Sequence, residues 1–201
     1  MIRALAAILA LSLLTAPIAV AAPSLDPADM PAGTWALEKS HASLVARVRH
    51  LGLSDYTLRF NSFDASYSYD PKAPEASRVE ATVEAASLDT GTVAFNGKFA
   101  EEFLAATANP TIRFVSTAIT RTDAGRGTMT GDLTLRGVTR PVTLDVTFNG
   151  SASMMGKDRA GFSARGVIKR SEFGSDYLLR PPLALVGDEV EIVLELEFLR
   201  K

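Results

Sequence analysis

Glu189-Val190-Glu191-Ile192-Val193-Leu194-Glu195-Leu196-Glu197-Phe198 alternates along its whole length. Val190, Ile192, Leu194, Leu196 and Phe198 fall on one side, while Glu189, Glu191, Glu195 and Glu197 fall on the other, with Val193 the only apolar intruder. Successive side chains of a strand point to opposite sides, so a period of two makes a strand with one oily and one acidic face. Such a strand is half buried. Residues 140–149 repeat the pattern, with Val142, Leu144, Val146 and Phe148 against Thr143, Asp145, Thr147 and Asn149. Residues 127–136 set Met129, Leu133 and Leu135 against Thr128, Thr130, Asp132, Thr134 and Arg136. These two segments are separated by Gly137-Val138-Thr139, with Pro141 near the start of the second, and predict a hairpin. Residues 78–87 and 160–169 alternate likewise. Shorter strands are predicted at 34–38, 43–50, 57–60, 65–69 and 111–120. Only residues 98–106 have helical spacing, with Phe99, Phe103 and Leu104 around Glu101 and Glu102.

About eight to ten antiparallel strands joined by short turns leave two architectures, a sandwich or a closed barrel. Outer-membrane barrels face lipid with their apolar side and cannot carry charge there at mid-depth. Here the polar faces hold Glu, Arg, Lys and Asp at mid-strand, so they face water and the apolar set points inward. That inward set is uneven in size: Phe114, Phe148 and Phe162 stand beside Ala46, Ala81, Ala85, Ala164, Gly131 and Gly166. A small barrel of this kind is either filled by its aromatics or hollow enough for one apolar ligand, and the residues by themselves leave both open.

The chain has 201 residues and no cysteine, which excludes a disulfide scaffold, a Cys-built zinc site, a thiol nucleophile and an iron–sulfur protein. Its first residues read as a secretory signal peptide. Met1-Ile2-Arg3 is a short positive segment, Ala4 to Leu14 is apolar apart from Ser12, and Ala19-Val20-Ala21 is a small-x-small cleavage pattern. Cleavage is expected after Ala21, since cutting after Ala22 would place Pro23 on the scissile bond. An extended arm, residues 22–32, carries Pro23, Pro27 and Pro31, and one domain follows over 33–201. The formal charge of −2 becomes −3 once Arg3 is removed, which disfavours nucleic acid as a partner.

Catalytic equipment is sparse. His41 and His50 are the only imidazoles, and on one strand an odd separation would put them on opposite faces. No G-x-S-x-G, phosphate-cradling Gly loop or H-E-x-x-H occurs, so no catalytic residue, metal site or cofactor is assigned. Arg136, Arg140, Arg170 and Arg180 lie near strand ends. There they can meet a phosphate or carbonyl head group at a barrel mouth, although charged groups normally sit in solvated loops.

Four stretches together resemble the YceI-like family in its own order. Ser43 to His50 (SLVARVRH) is similar to its first long strand ending in His. Asn109-Pro110-Thr111-Ile112-Arg113-Phe114-Val115-Ser116 is similar to its YPxIxFxS segment. Gly131 to Leu144 (GDLTLRGVTRPVTL) resembles its GxLTxxGVTxPVxL hairpin. Gly161-Phe162-Ser163-Ala164 with Lys169-Arg170-Ser171-Glu172-Phe173-Gly174 resembles its GFxA…IxRxxFG close. The resemblance runs from about Trp35 to Glu197, and Gly33-Thr34-Trp35 also resembles the G-x-W opening of lipocalins. Two positions depart from the pattern. Asn96 and Lys98 replace the Asp and His of an RDxHL segment that follows Ser87-Leu88-Asp89-Thr90-Gly91, and Leu58 stands where a Gly precedes Phe60.

The resemblance implies an all-β, lipocalin-like antiparallel barrel of about eight strands with one short helix. It also implies a periplasmic and often homodimeric protein, in which an apolar tunnel holds a polyisoprenoid or isoprenoid quinone-like lipid. Leu44, Ala46, Val48, His50, Val83, Phe95, Phe99, Phe103, Phe114, Leu133, Leu135, Leu144, Val146, Phe162 and Ile168 are then the expected tunnel lining. His50, Arg136 and Arg140 are candidates for the head group. On this reading the protein is a non-enzymatic carrier or scavenger of a long-chain apolar lipid, soluble and in transient contact with a membrane. An enzyme acting on such a lipid, or an envelope interaction module with a filled barrel, are the alternatives.

Overall fold

The computed structural model describes residues 22–123 and 125–201, so the expected leader, residues 1–21, lies outside them. Alternation carries the chain into eleven strands: β1 (Gly33–Leu37), β2 (Ser43–His50), β3 (Ser54–Phe60), β4 (Phe63–Tyr69), β5 (Arg78–Glu84), β6 (Leu88–Asp89), β7 (Thr111–Arg121), β8 (Arg126–Leu135), β9 (Val138–Met154), β10 (Lys157–Lys169) and β11 (Val186–Arg200). One helix, α1 (Val93–Leu104), falls between β6 and β7. All pairings are antiparallel, and β1 pairs with both β4 and β11.

Three staves of the wall are each made of two strands. β1 and β2 lie end to end along one edge of β11, with Leu37 opposite Phe198 and Leu44 opposite Leu194. β3 continues into β4 opposite them, and β5 into β6 beyond that. Counted this way the sheet closes as an eight-stave barrel through the β1–β11 pairing, which removes the unpaired edges an open sheet would expose except along short β6. The expected fold is therefore the observed one.

β2 spans the residues predicted for it. The β8–β9 hairpin is tighter than expected, because its loop is Arg136-Gly137 alone. Both have positive φ, 53° and 75°, as a two-residue turn matched to strand twist requires. Val138 and Thr139 already pair with Leu135 and Thr134. The strand predicted over 78–87 ends at Glu84, and Ala85–Ser87 forms a 3-10 turn. Ala85 N–H donates to the Pro110 carbonyl rather than to a neighbouring strand, and its side chain is fully buried. α1 begins five residues before the predicted start. Asn96 and Gly97 are weak helix formers, but the Asn96 carboxamide oxygen accepts from both the N–H and the hydroxyl of Thr90 and fixes the first turn.

The N-terminal arm is not a free extension. Ser24 bridges to Ser151, Pro27–Asp29 makes a 3-10 turn, and the Tyr69 hydroxyl donates to the Pro27 carbonyl at 2.6 Å. Met30, 2% exposed, plugs the adjacent barrel end. There it joins Trp35, Tyr67, Phe148 and Phe198, with Phe162 packed against them. The Trp35 and Tyr67 rings stack at 5.8 Å, and Tyr67 meets Phe198 edge-on at 4.9 Å. The inward glycines leave no void, whereas the alanines Ala46, Ala81 and Ala164 border open space. A Cβ at Gly131 would fall on the Phe114 ring and the Val115 carbonyl, and one at Gly166 on Leu144. These glycines make room for large neighbours instead.

Candidate ligand-binding cavity

Inward-facing β11 residues are less buried than an ordinary core demands. Val190, Ile192 and Leu194 are only half-buried, whereas Val193, on the outer face, is buried. Val193 is covered because Val45 and Arg165 stand beside it in register and the Arg47–Glu191 and Arg165–Glu195 ion pairs flank it. The inner residues face empty space. That space is a cavity of about 530 Å³, the size of a typical small-molecule site. Its wall comes from β2 to β11, and α1 closes the gap that β6 leaves beside β7 with Phe95, Phe99, Phe103 and Leu104.

Leu44, Ala46, Val48, His50, Val83, Phe95, Phe99, Phe103, Phe114, Leu133, Leu135, Leu144 and Ile168 all line this cavity. Val146 and Phe162 do not. They line a second, smaller cavity of about 180 Å³ at the Trp35 end, beyond the shared residues Val79, Met129, Ala164, Leu196 and Phe198. Arg136 and Arg140 reach neither. The Arg136 guanidinium donates to the Glu102 carbonyl and that of Arg140 to the Thr139 carbonyl, both on the outside. His41 also sits outside, 3.3 Å from Glu197, at the far end of β2 from His50.

Apart from His50, Tyr56, Arg170 and Ser175, every lining side chain is apolar. Tyr56 spends its hydroxyl proton on the Thr90 carbonyl, tying β3 to the loop that precedes α1. Arg170 departs from the solvated-loop expectation for strand-end arginines, being only 4% exposed. It opens a 3-10 turn, Arg170–Phe173, and its fork grips the chain returning to β11. Nε donates to the Gly187 carbonyl at 2.7 Å, Nη1 to Ser175 at 2.9 Å and Nη2 to Val186 at 2.9 Å. The guanidinium carbon lies 5.3 Å above the Phe103 ring. Asp188 is turned to Ser171, accepting from its N–H at 2.9 Å and its hydroxyl at 2.7 Å. Burial pushes the Asp188 carboxyl up, but those two donors and the charges of Arg170 and Lys169 outweigh it and leave its pKa below the ordinary value.

Sequence periodicity misses Leu178, which lines the cavity from a loop without alternation, Val186 at the start of β11 ahead of its register shift, and Tyr56, Leu58, Phe60 and Phe63, where β3 and β4 are noisy. Leu58, at one departure from the family pattern, adds a side chain to the wall. At the other departure Asn96 ties down Thr90 while Lys98 is exposed. Around the His50 end several large apolar side chains face outward: Leu51 and Leu53 in the β2–β3 turn, Val93 and Phe95 at the start of α1, and Leu183. Val93 is 87% and Leu53 80% exposed. Phe95 belongs both to this rim and to the cavity lining, and Leu51 N–H donates to the Leu185 carbonyl, which joins two parts of the rim.

Residues 35–198 match the YceI-like domain family. A UPF0312 protein of Pseudomonas aeruginosa (strain LESB58) is 35% identical over 166 residues, which cover 82% of this chain and 84% of that protein. Among solved structures, BcnA of Burkholderia cenocepacia is similar with a TM-score of 0.72 at 25% identity, over 80% of this chain and 98% of that one. A polyisoprenoid binding domain from Saccharophagus degradans shares the fold with a TM-score of 0.64 at 14% identity, over 83% of this chain and 98% of its own.

Proposed function

The chain belongs to the YceI-like family, and from that premise we propose that it is an exported, periplasmic protein that holds a long apolar lipid, a polyisoprenoid or isoprenoid quinone-like molecule, without transforming it. The observation that carries this reading is the cavity of about 530 Å³ with a wall apolar at every position but four. Water gains little there, because a buried water needs polar partners and this wall supplies few. An isoprenoid chain gains about 0.8 kcal/mol for each CH₂ equivalent removed from water, so affinity comes from chain length rather than from polar contacts. A domain of the same fold that binds polyisoprenoid supports the ligand class.

Such a ligand is insoluble and resides in membranes, so the protein has to meet a bilayer to load or unload it. The exposed rim of Leu51, Leu53, Val93, Phe95 and Leu183 suits a transient contact of that kind, since it puts apolar side chains around the cavity end and Phe95 belongs both to that rim and to the cavity lining. Transport, storage and scavenging all require only this cycle of capture and release.

The test is organic extraction of the protein purified from its own source, with mass spectrometry of the extract. A prenyl lipid in stoichiometric amount is expected from the natural protein. It should be absent from Ala81→Trp, in which an indole fills part of the cavity from a half-buried wall position. An empty extract from folded natural protein would overturn the reading.

A further inference from the structure

The polar lining of the cavity is not scattered. Arg170 and Ser175 are joined, because Nη1 of Arg170 donates to the Ser175 carbonyl, and Ser175 N–H donates back to the Arg170 carbonyl at 3.1 Å. Two features of this corner stay unexplained by the fold. The guanidinium carries a full charge at 4% exposure, yet no carboxylate oxygen of the described residues lies within 4 Å of it. Its three protein bonds all go to main-chain carbonyls, which leaves two of its five N–H donors unused, one on each Nη. Beside it the Ser175 hydroxyl, in a residue 2% exposed, has no hydrogen-bond partner at all. A buried donor without an acceptor is costly, and a buried charge without a counter-charge more so. Burial accordingly pushes the Arg170 guanidinium below its ordinary pKa, with Asp188 and Asp176 opposing this from a distance.

We propose that Arg170 and Ser175 form a head-group subsite at the His50 end of the cavity, which takes an oxygen acceptor, a ring carbonyl or a phosphate, at the end of the bound prenyl chain. The inference rests on the lipid reading above and adds polarity to it: the head lies at the Arg170 end and the hydrocarbon runs towards Phe114, Leu144 and Leu196. The corner offers donors and no carboxylate, so it discriminates against head groups that only donate. Arg170 is fixed before the ligand arrives, because Gly187, Val186 and Ser175 already hold its fork and Phe103 supports its face. A planar fork held in this way costs little to engage.

The experiment measures binding of three probes of matched chain length, delivered from detergent to the full mature protein: a ubiquinone, a prenyl phosphate and a prenyl hydrocarbon. The natural protein is expected to bind both oxygen-headed probes at least ten-fold more tightly than the hydrocarbon, the worth of a hydrogen bond to a charged donor. The ratio of the two shows whether carbonyl or phosphate is preferred. Ser175→Ala should weaken the oxygen-headed probes about five-fold and leave the hydrocarbon unchanged, without lowering the Tm of the empty protein, because an unpartnered hydroxyl has been removed. Arg170→Lys, which keeps the charge and loses the fork, should weaken the oxygen-headed probes further. Equal affinities for all three probes, or equal losses across them in Ser175→Ala, would overturn the subsite while leaving the lipid cavity standing. Failure of every probe, the hydrocarbon included, would overturn the cavity reading and the subsite with it.

Discussion

The two ends of the barrel are built from the same alternating strands and finish in opposite states. At the Trp35 end the arm returns across the opening, Met30 enters, and five aromatic rings close on one another, so protein side chains fill most of the interior and leave only the smaller cavity of about 180 Å³. At the His50 end no such segment crosses among the described residues. α1 and the loop that precedes β11 stand around the opening, and the inner faces look onto empty space. Alternation therefore decides which side of a strand points inward, while chain that lies outside the strands decides whether the inside is filled.

If stability is concentrated at the filled end, Trp35→Ala should cost about 3–5 kcal/mol in urea or thermal unfolding, as for other buried aromatics. Phe99→Ala at the open end should cost under about 2 kcal/mol, because this half-buried ring already borders a void. It should lower lipid affinity all the same. Equal losses of stability at the two sites would break the contrast. The ends also differ in their response to acid. Asp188, beside the open end, is held below the usual carboxylate range, so its ionised form favours the folded state. That contribution is present above the ordinary aspartate pKa of about 4 and disappears as pH falls through the lower folded value. Asp188→Asn should thus cost about 1 kcal/mol at neutral pH, the net value of hydrogen bonds partly shared with solvent, and the difference should vanish in acid. Tyr67, at the filled end, is pushed upward by burial and stays neutral throughout. Its hydroxyl has no partner, so Tyr67→Phe should leave stability unchanged or raise it by at most about 1 kcal/mol at every pH.

Much of this architecture was legible in the residues. The Glu189–Phe198 alternation located β11 and its inner face, and the same rule applied to β5, β8, β9 and β10 found the part of the cavity wall those strands supply. The failures have physical causes. Val146 and Phe162 obey the alternation but stand too near the aromatic plug to border the larger space, and periodicity carries no information about height along the barrel. Arg136 and Arg140 flank a hairpin turn and point outward. Arg170, which is in the cavity wall, was indistinguishable from them, because a strand-end arginine reads alike whether its donors meet water or carbonyls. Leu178 and Val186 enter from a segment whose course is set by hydrogen bonds such as Leu185 N–H to the Leu178 carbonyl, which no pattern of side chains records.

The paired strands of the wall have a mechanical meaning. The breaks between β1 and β2, between β3 and β4, and between β5 and β6 fall on three neighbouring staves at one height, where Glu38 N–H meets the Glu197 carbonyl, Asn61 N–H meets Ser87 and Glu84 N–H meets Ser62. β7 to β11 run past that height without interruption. A wall scored on one side and continuous on the other is unevenly braced: the panel of β2, β3, β6 and α1 joins the rest of the sheet through the β2–β11 pairing alone, because β6 pairs only with β3. The amides of that panel should exchange with deuterium sooner than those of β8 to β10.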